Sequence, residues 1–174
     1  MASATSHPQD EISSIREHLL RYRGVTLQTL EYVSDDKLPW KPGDDLRSVA
    51  EQFLHIARVN EFYARGLVDG DWNLPRVAER PAETDSRAFL QAELTSSRDL
   101  VDQKIATIQP ASLGEVVTVP NVPIPWTLRD WLWYMVEHEV HHKAQLAIYL
   151  RQLGITPPFF AMAFPNRHRP DVRA

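Results

Sequence analysis

The chain has 174 residues, 43% of them hydrophobic and 24% charged, a composition that suits one globular domain and excludes wholesale disorder. Its 19 lysines and arginines against 23 aspartates and glutamates give a net charge of −4, which argues against general binding to nucleic-acid phosphates. Cysteine is absent, which excludes disulfides, zinc–thiolate sites and a thiol nucleophile of the protein's own. The seven histidines are therefore the residues to follow.

No part of the sequence has the features of a secretion signal or a membrane span. Residues 1–9 are small and polar, without a basic start and an apolar stretch. The most apolar stretch, 126–153, is interrupted by charged residues and three histidines. We therefore predict a soluble, cytoplasmic protein with no membrane partner and no nucleic-acid partner.

The first half of the chain has two segments with helical periodicity. Residues 6–34 carry apolar side chains at three- and four-residue steps, the pattern of an amphipathic helix. Prolines and a glycine break the pattern at 38–45. Ser48 and Glu51 then have the spacing of a capping box, so we expect a second helix from there to about Val68.

The second half has two more such segments. A third helix is predicted from Asp85, and a fourth from Thr127, a plausible cap, to about Leu153, with Gly154 as its stop. Residues 116–119 can form a short strand at most, because the prolines that follow cannot donate to a ladder.

Four long amphipathic helices without a convincing sheet predict an all-α fold, a four-helix bundle with long connections. We expect one domain covering 1–174, with a C-terminal extension at about 155–174. The apolar cluster Phe159 to Phe164 in that extension offers a contact to the bundle or to a second copy of the chain.

Two histidines, His138 and His142, lie one turn apart within the apolar stripe of the fourth helix. This spacing allows two imidazoles on one helix to meet a single metal ion. The alternative is a buried pair satisfied by hydrogen bonds to its neighbours. Two adjacent imidazoles lose hydration and repel each other when protonated, which makes the hydrogen-bonded pair less favourable than it is for a single histidine. The spacing by itself still leaves both interpretations open.

A third ligand has to come from another helix, and His55 is the best candidate. It lies at the edge of the apolar face of the second helix, from where it can face the bundle interior. The remaining histidines lie on polar faces or in the tails: His7, His18, His141 and His168. Among them, we expect His141 to be a surface residue or a support for the site.

The segment His138-Glu-Val-His-His142 also matches H-E-x-x-H, the motif of zinc proteases. The longer protease form fails, because Gln145 replaces its glycine and Ile148 its third histidine. Glu139 and His142 further match the Glu-x-x-His of di-iron bundles, but the chain has no second copy of that motif. Neither class is favoured.

The run from His138 to Gly154 resembles the C-terminal signature of the DinB/YfiT-like superfamily. The upstream segments Leu38-Pro-Trp-Lys-Pro42 and Ser48 to His55, followed by Glu61, resemble it too, and the likeness extends over about 12–154. It implies a four-helix bundle, often dimeric, that holds a divalent metal with three histidines, here His55, His138 and His142. Lys143-Ala144 departs from the Arg-Gly common in the family.

Three imidazoles without cysteine favour Zn²⁺ or Ni²⁺ and are compatible with Fe²⁺ or Mn²⁺. Three protein ligands leave coordination positions open, unlike a structural zinc site. Characterised relatives include transferases that join a low-molecular-weight thiol to an electrophile, so the resemblance implies a metal-dependent thiol transferase with a small-molecule substrate, acting as a homodimer. A metal-dependent hydrolase and a non-catalytic dimeric metal-binding bundle are the alternatives.

Three polar residues of the fourth helix are candidates for supporting the site. Glu139 lies about 100° around the helix from His138, which suggests a role in orienting ligands rather than in proton transfer. Gln145 and Tyr149 lie on or near the metal face and can contact substrate, or can simply pack as polar residues.

Overall fold

The computed structural model describes residues 8–73 and 86–158. Four α-helices make up most of these residues: α1 (Pro8–Leu30), α2 (Val49–Asp69), α3 (Arg87–Ala106) and α4 (Leu128–Gln152). Short 3₁₀ turns at Asp35–Lys37 and Pro110–Gly114 interrupt the connections. The predicted all-α four-helix bundle is confirmed.

No strand forms in the described ranges. The segment 116–119, where a short strand was conceivable, contributes only isolated bridges from Val116 to Thr127 and from Val119 to Val122. The physical reason is the run of prolines at 120, 123 and 125, which lack the N–H that a ladder needs.

The helices are arranged as a ring in which α1 contacts α3 and α4, and α2 contacts the same two helices. The core contacts show that α1 and α4 run in one direction and α2 and α3 in the other, because the starts of α1 and α4 meet the ends of α2 and α3. Consecutive helices α1 and α2 are therefore diagonal, which accounts for the long connection between them.

Capping boxes fix the starts of the two helices that carry the candidate ligands. The Ser48 hydroxyl accepts from the Glu51 backbone N–H, while the Glu51 carboxylate accepts from the Ser48 N–H. Thr127 and Asp130 make the same reciprocal pair at the start of α4. Both caps agree with the sequence-based expectation, as does the turn at Gly154, whose φ is 75°.

The apolar core consists of two clusters, one toward each end of the bundle. One contains Ile15, Trp131 and Met135, and the other contains Phe53, Leu94 and Leu146. Buried polar side chains from the middle of the helices are interleaved with these clusters: Arg23, Thr26, Asn60, Ser97, His138, Glu139 and His142. We call this set the polar layer, and the candidate site lies within it.

The described chain ends at Pro158, and Ile155 packs against the second core cluster. The predicted contact cluster Phe159 to Phe164, and the tail histidines His7 and His168, lie outside the described residues. In the described helices, none is long and apolar enough to cross a membrane.

Candidate metal centre

Three histidine side chains from two helices converge in the polar layer. His55 comes from α2, and His138 and His142 come from successive turns of α4. The His55 Nε2 atom lies 3.1 Å from Nε2 of His142 and 3.2 Å from Nε2 of His138. The structure therefore brings together the three residues that the sequence selected, each with one ring nitrogen directed to a common point.

The three imidazoles differ in exposure, which defines the open side of the cluster. His138 and His142 are 7% and 8% exposed, whereas His55 is only partly buried. The cluster is therefore most exposed to solvent at His55. This agrees with the prediction that His55 lies at the edge of the apolar face of its helix.

Burial and mutual proximity keep these rings neutral. Burial, with the charge of Arg47 and the adjacent His142, lowers the pKa of His55 to about 4. Burial and the neighbouring imidazoles lower the pKa of His138 to about 3. The pKa of His142 is also lowered, chiefly by burial. Neutral imidazoles have the free lone pairs that a metal ion requires.

The donor set fits a divalent ion. Two nitrogens bound to one tetrahedral ion at the usual zinc–nitrogen distance are about 3.3 Å apart, close to the 3.1 and 3.2 Å separations of the Nε2 atoms. His142 is also held from behind, because its Nδ1 lies 2.9 Å from Oε1 of Gln145. In contrast, Nδ1 of His138 is buried without a hydrogen-bond partner among the described residues.

Gln145 and two residues around it surround the outer side of His142. The Gln52 amide nitrogen lies 2.9 Å from Nδ1 of His142 and contacts Oε1 of Gln145. The Gln145 amide nitrogen in turn lies 3.0 Å from Nε2 of His141, which is exposed. Gln145 therefore contacts a candidate ligand directly. Gln52 was missed from the sequence, although its spacing of three residues from His55 places both on neighbouring faces of α2.

Glu139 is fully buried and takes part in a different set of contacts. Its carboxylate accepts hydrogen bonds from Arg23, Thr26 and Asn60, at 2.7 to 3.2 Å. Its described hydrogen bonds thus lead to α1 and α2 rather than to the histidines. Its charge still acts on the site, because it raises the pKa of His142 against the larger effect of burial.

The described contacts of the other candidate residues lead to partners outside the three histidines, apart from the packing of the His141 ring against His142. Tyr149 is buried, and its ring packs edge-on against Trp40, with 5.7 Å between ring centroids. Nδ1 of His18 donates to the backbone carbonyl of Ser14 on its own helix, and its ring packs against Trp133. His141, predicted as a surface or supporting residue, is exposed and contacts Gln145.

Lys143 is a feature that the sequence did not indicate. Its side chain is 1% exposed, and its Nζ has no hydrogen-bond partner in the described part of the chain. The ammonium lies 4.8 Å from the centroid of the Tyr22 ring, a cation–π contact. Burial lowers the pKa of Lys143 to about 8.

Comparison with known proteins places this arrangement in a family. A model of the DinB superfamily matches residues 18–146, a span that includes all three histidines and the polar layer. The chain belongs to the DinB superfamily. The match ends before the predicted C-terminal extension at about 155–174.

Relatives of this DinB-superfamily protein agree with the fold. The chain is 25% identical over 153 residues to YjoA of Bacillus subtilis (strain 168), a protein described as uncharacterised. The alignment covers 85% of this chain and 95% of the relative. The crystal structure of that DinB-like protein superposes with a TM-score of 0.68 at 26% identity, covering 84% of this chain and 97% of the other. The whole bundle is therefore shared.

Proposed function

We propose that this protein is a metal-dependent transferase that joins a low-molecular-weight thiol to a small electrophile. His55, His138 and His142 would hold a divalent ion, with Zn²⁺ and Ni²⁺ favoured by the imidazole donors. The observation that carries the proposal is the convergence of three imidazoles in a chain without cysteine. Nε2 of His55 lies 3.1 Å from Nε2 of His142 and 3.2 Å from Nε2 of His138.

The number of ligands favours a reactive site over a purely structural one. Structural zinc sites in proteins use four protein ligands, whereas catalytic sites use three and leave a position for substrate. Within the described residues, the metal-ligand cluster consists of only these three histidines. A bound divalent ion would supply a Lewis acid that lowers the pKa of a substrate thiol.

Thiol transfer also requires a sulfur nucleophile and a side of the site that substrates can approach. Because the chain has no cysteine, the sulfur nucleophile has to come from a second molecule. In the reaction, the thiol proton leaves to solvent, the sulfur bonds to the electrophilic carbon, and the leaving group departs with its electron pair. His55 is only partly buried, so the cluster is least covered by protein on that side, where substrates would approach.

A partly buried tyrosine beside the histidines suits an apolar or aromatic electrophile. Tyr134 lies one turn before His138 on α4, with 6.1 Å between the ring centroids. Its ring packs against Tyr63 and Trp131 at centroid distances of 5.4 and 5.8 Å. Tyr134 is only partly buried, and we propose that it contacts the electrophile.

The proposal is tested with metal-loaded protein, a chloronitrobenzene dye as electrophile and a panel of thiols that includes glutathione, bacillithiol and mycothiol. Conjugation that requires both thiol and metal supports it. His142→Ala should abolish the conjugation, whereas His18→Ala, a histidine outside the cluster, should retain it.

The same assay separates the alternatives. Metal-dependent turnover of ester or amide substrates without any thiol would favour a hydrolase. Stoichiometric metal binding with no turnover of either kind would favour a non-catalytic metal-binding bundle.

A further inference from the structure

A continuous hydrogen-bonded chain leads from the surface to the buried ligand His142. The exposed His141 contacts the Gln145 amide nitrogen through its Nε2 at 3.0 Å. The amide oxygen of Gln145 lies 2.9 Å from Nδ1 of His142. The two histidine rings also pack edge-on, with centroids 4.9 Å apart.

The donor and acceptor roles along this chain depend on one another. An amide nitrogen can only donate, so His141 accepts through the lone pair of its Nε2. The Gln145 oxygen is then directed at His142, where it can only accept, so the proton of this contact comes from Nδ1 of His142. The Gln52 amide nitrogen lies 2.9 Å from the same Nδ1 and also only donates, and it agrees with this tautomer by donating to Oε1 of Gln145 instead. In this arrangement the Nε2 atom of His142 keeps its lone pair, and this atom is the one that faces His55.

Rotating the Gln145 amide by half a turn would reverse every role. The NH₂ group would then face Nδ1 of His142, Nδ1 would become the acceptor, and the proton would move to Nε2, which could no longer bind a metal. His141 selects between the two orientations, because its Nε2 lone pair accepts from the amide nitrogen. Gln52, whose amide nitrogen contacts Oε1 of Gln145, favours the same orientation.

We infer that His141 is a positioning residue that orients the Gln145 amide and thereby holds His142 in its metal-binding tautomer. The inference rests on the proposed metal site. It assigns a role to a surface histidine whose ring nitrogens do not themselves reach the cluster of the three ligands. Partners of ligating histidines typically contribute about 10- to 100-fold to metal affinity, and His141 acts one step farther away.

The first test measures Zn²⁺ affinity by chelator competition at one fixed pH for all variants. His141→Phe keeps an aromatic ring but removes the acceptor, and we expect it to weaken Zn²⁺ binding by about 3- to 10-fold. Because His141 is exposed, the melting temperature of the metal-free protein should stay unchanged. His18→Phe is the matched control and should leave the affinity unchanged.

The same substitution in a Gln145→Glu variant distinguishes the orienting of the Gln145 amide from a general local effect of losing His141. Gln145→Glu replaces the amide with a carboxylate, which presents an oxygen to His142 in either orientation. In that background His141→Phe should change the Zn²⁺ affinity by less than about 2-fold. An equal loss in both backgrounds would overturn the positioning role.

A third readout needs no metal. Nitrogen-15 chemical shifts of the His142 ring in the metal-free wild type should report the tautomer with the proton on Nδ1, and His141→Phe should shift them toward a mixture. Unchanged shifts together with unchanged affinity would overturn the inference. If the wild type binds no Zn²⁺ but the His142 tautomer still changes in His141→Phe, the proposed metal function is overturned. The role of His141 in orienting the Gln145 amide is then supported.

Discussion

Arg23 of α1 and Glu139 of α4 form a buried salt bridge, with Nη2 and Oε2 2.9 Å apart and side chains 3% and 0% exposed. Arg23 also donates to the backbone carbonyls of Leu94 on α3, at 2.9 Å, and Ile56 on α2, at 3.4 Å. With Asn60 donating to the carboxylate, this single pair connects all four helices. The carboxylate is therefore a structural centre of the polar layer.

Removing one partner of this pair should strongly destabilise the bundle. We expect Glu139→Ala to lower the free energy of unfolding by about 3 to 5 kcal/mol, because the Arg23 charge would stay buried without its counter-ion. Urea unfolding measures the change. The exposed pair Arg98 and Asp99 provides the control, since Asp99→Ala should cost less than about 1 kcal/mol. Similar losses for the two variants would show that the buried pair has no special role.

Metal binding should stabilise the protein through the three histidines. At a free Zn²⁺ concentration about 100 times the dissociation constant, we expect about 2.7 kcal/mol of added stability. His138→Ala and His142→Ala should each remove this gain and reduce the bound metal, measured by elemental analysis, to near zero. His18→Ala should keep both. If purified wild type and His142→Ala have equal metal content, the three-histidine site is wrong.

The metal-free protein should lose stability as the pH falls below about 6.5. His138 has a folded-state pKa of about 3, so it stays neutral in the folded state while the unfolded chain takes up a proton. Protonation then favours unfolding, and between pH 7 and pH 5 His138 alone should contribute a loss of about 2 kcal/mol. Urea unfolding at both pH values measures it.

The matched variant for this pH effect is His138→Gln, which cannot titrate. It should show a shallower pH dependence than the wild type by about the contribution of one histidine. Parallel stability profiles for the two proteins would mean that His138 is not held neutral by its surroundings.

Gly66 of α2 should resist replacement by alanine. Alanine normally stabilises a helix interior by about 1 kcal/mol relative to glycine, but a Cβ at position 66 would overlap the ring of Trp72. We therefore expect Gly66→Ala to lower the melting temperature. In a Trp72→Ala background the same change should become neutral or stabilising, and a loss of equal size in both backgrounds would contradict the packing explanation.

The sequence was sufficient to predict the helices and the positions of the ligands along them. Local rules account for this success: the serine and threonine caps start α2 and α4, and helical periodicity places His138 and His142 on one inward face. The convergence of His55 with this pair depends on a second helix. Its place at the edge of the apolar face of that helix made it the best candidate for a third ligand, and the resemblance to the family implied the same three residues.

The contacts of Glu139 could not be predicted in the same way. Its angle of about 100° from His138 suggested a supporting role beside the metal, and that role stays a prediction. Its actual hydrogen bonds go to Arg23, Thr26 and Asn60. Those partners depend on which helices are neighbours in the ring, and no local pattern in the sequence encodes that order. The same limit explains why Gln52 was missed.

The helices that carry the candidate ligands both begin at capping boxes, Ser48 with Glu51 and Thr127 with Asp130. The direction in which each of these histidines leaves its helix is consequently set by the number of residues between it and a fixed first residue. Inserting one residue between a cap and its histidine would rotate the imidazole by about 100° around the helix, away from the other two. Insertions before Ser48 or Thr127 would leave that direction intact. Length variation among homologues with intact ligands should therefore be confined to the connecting segments.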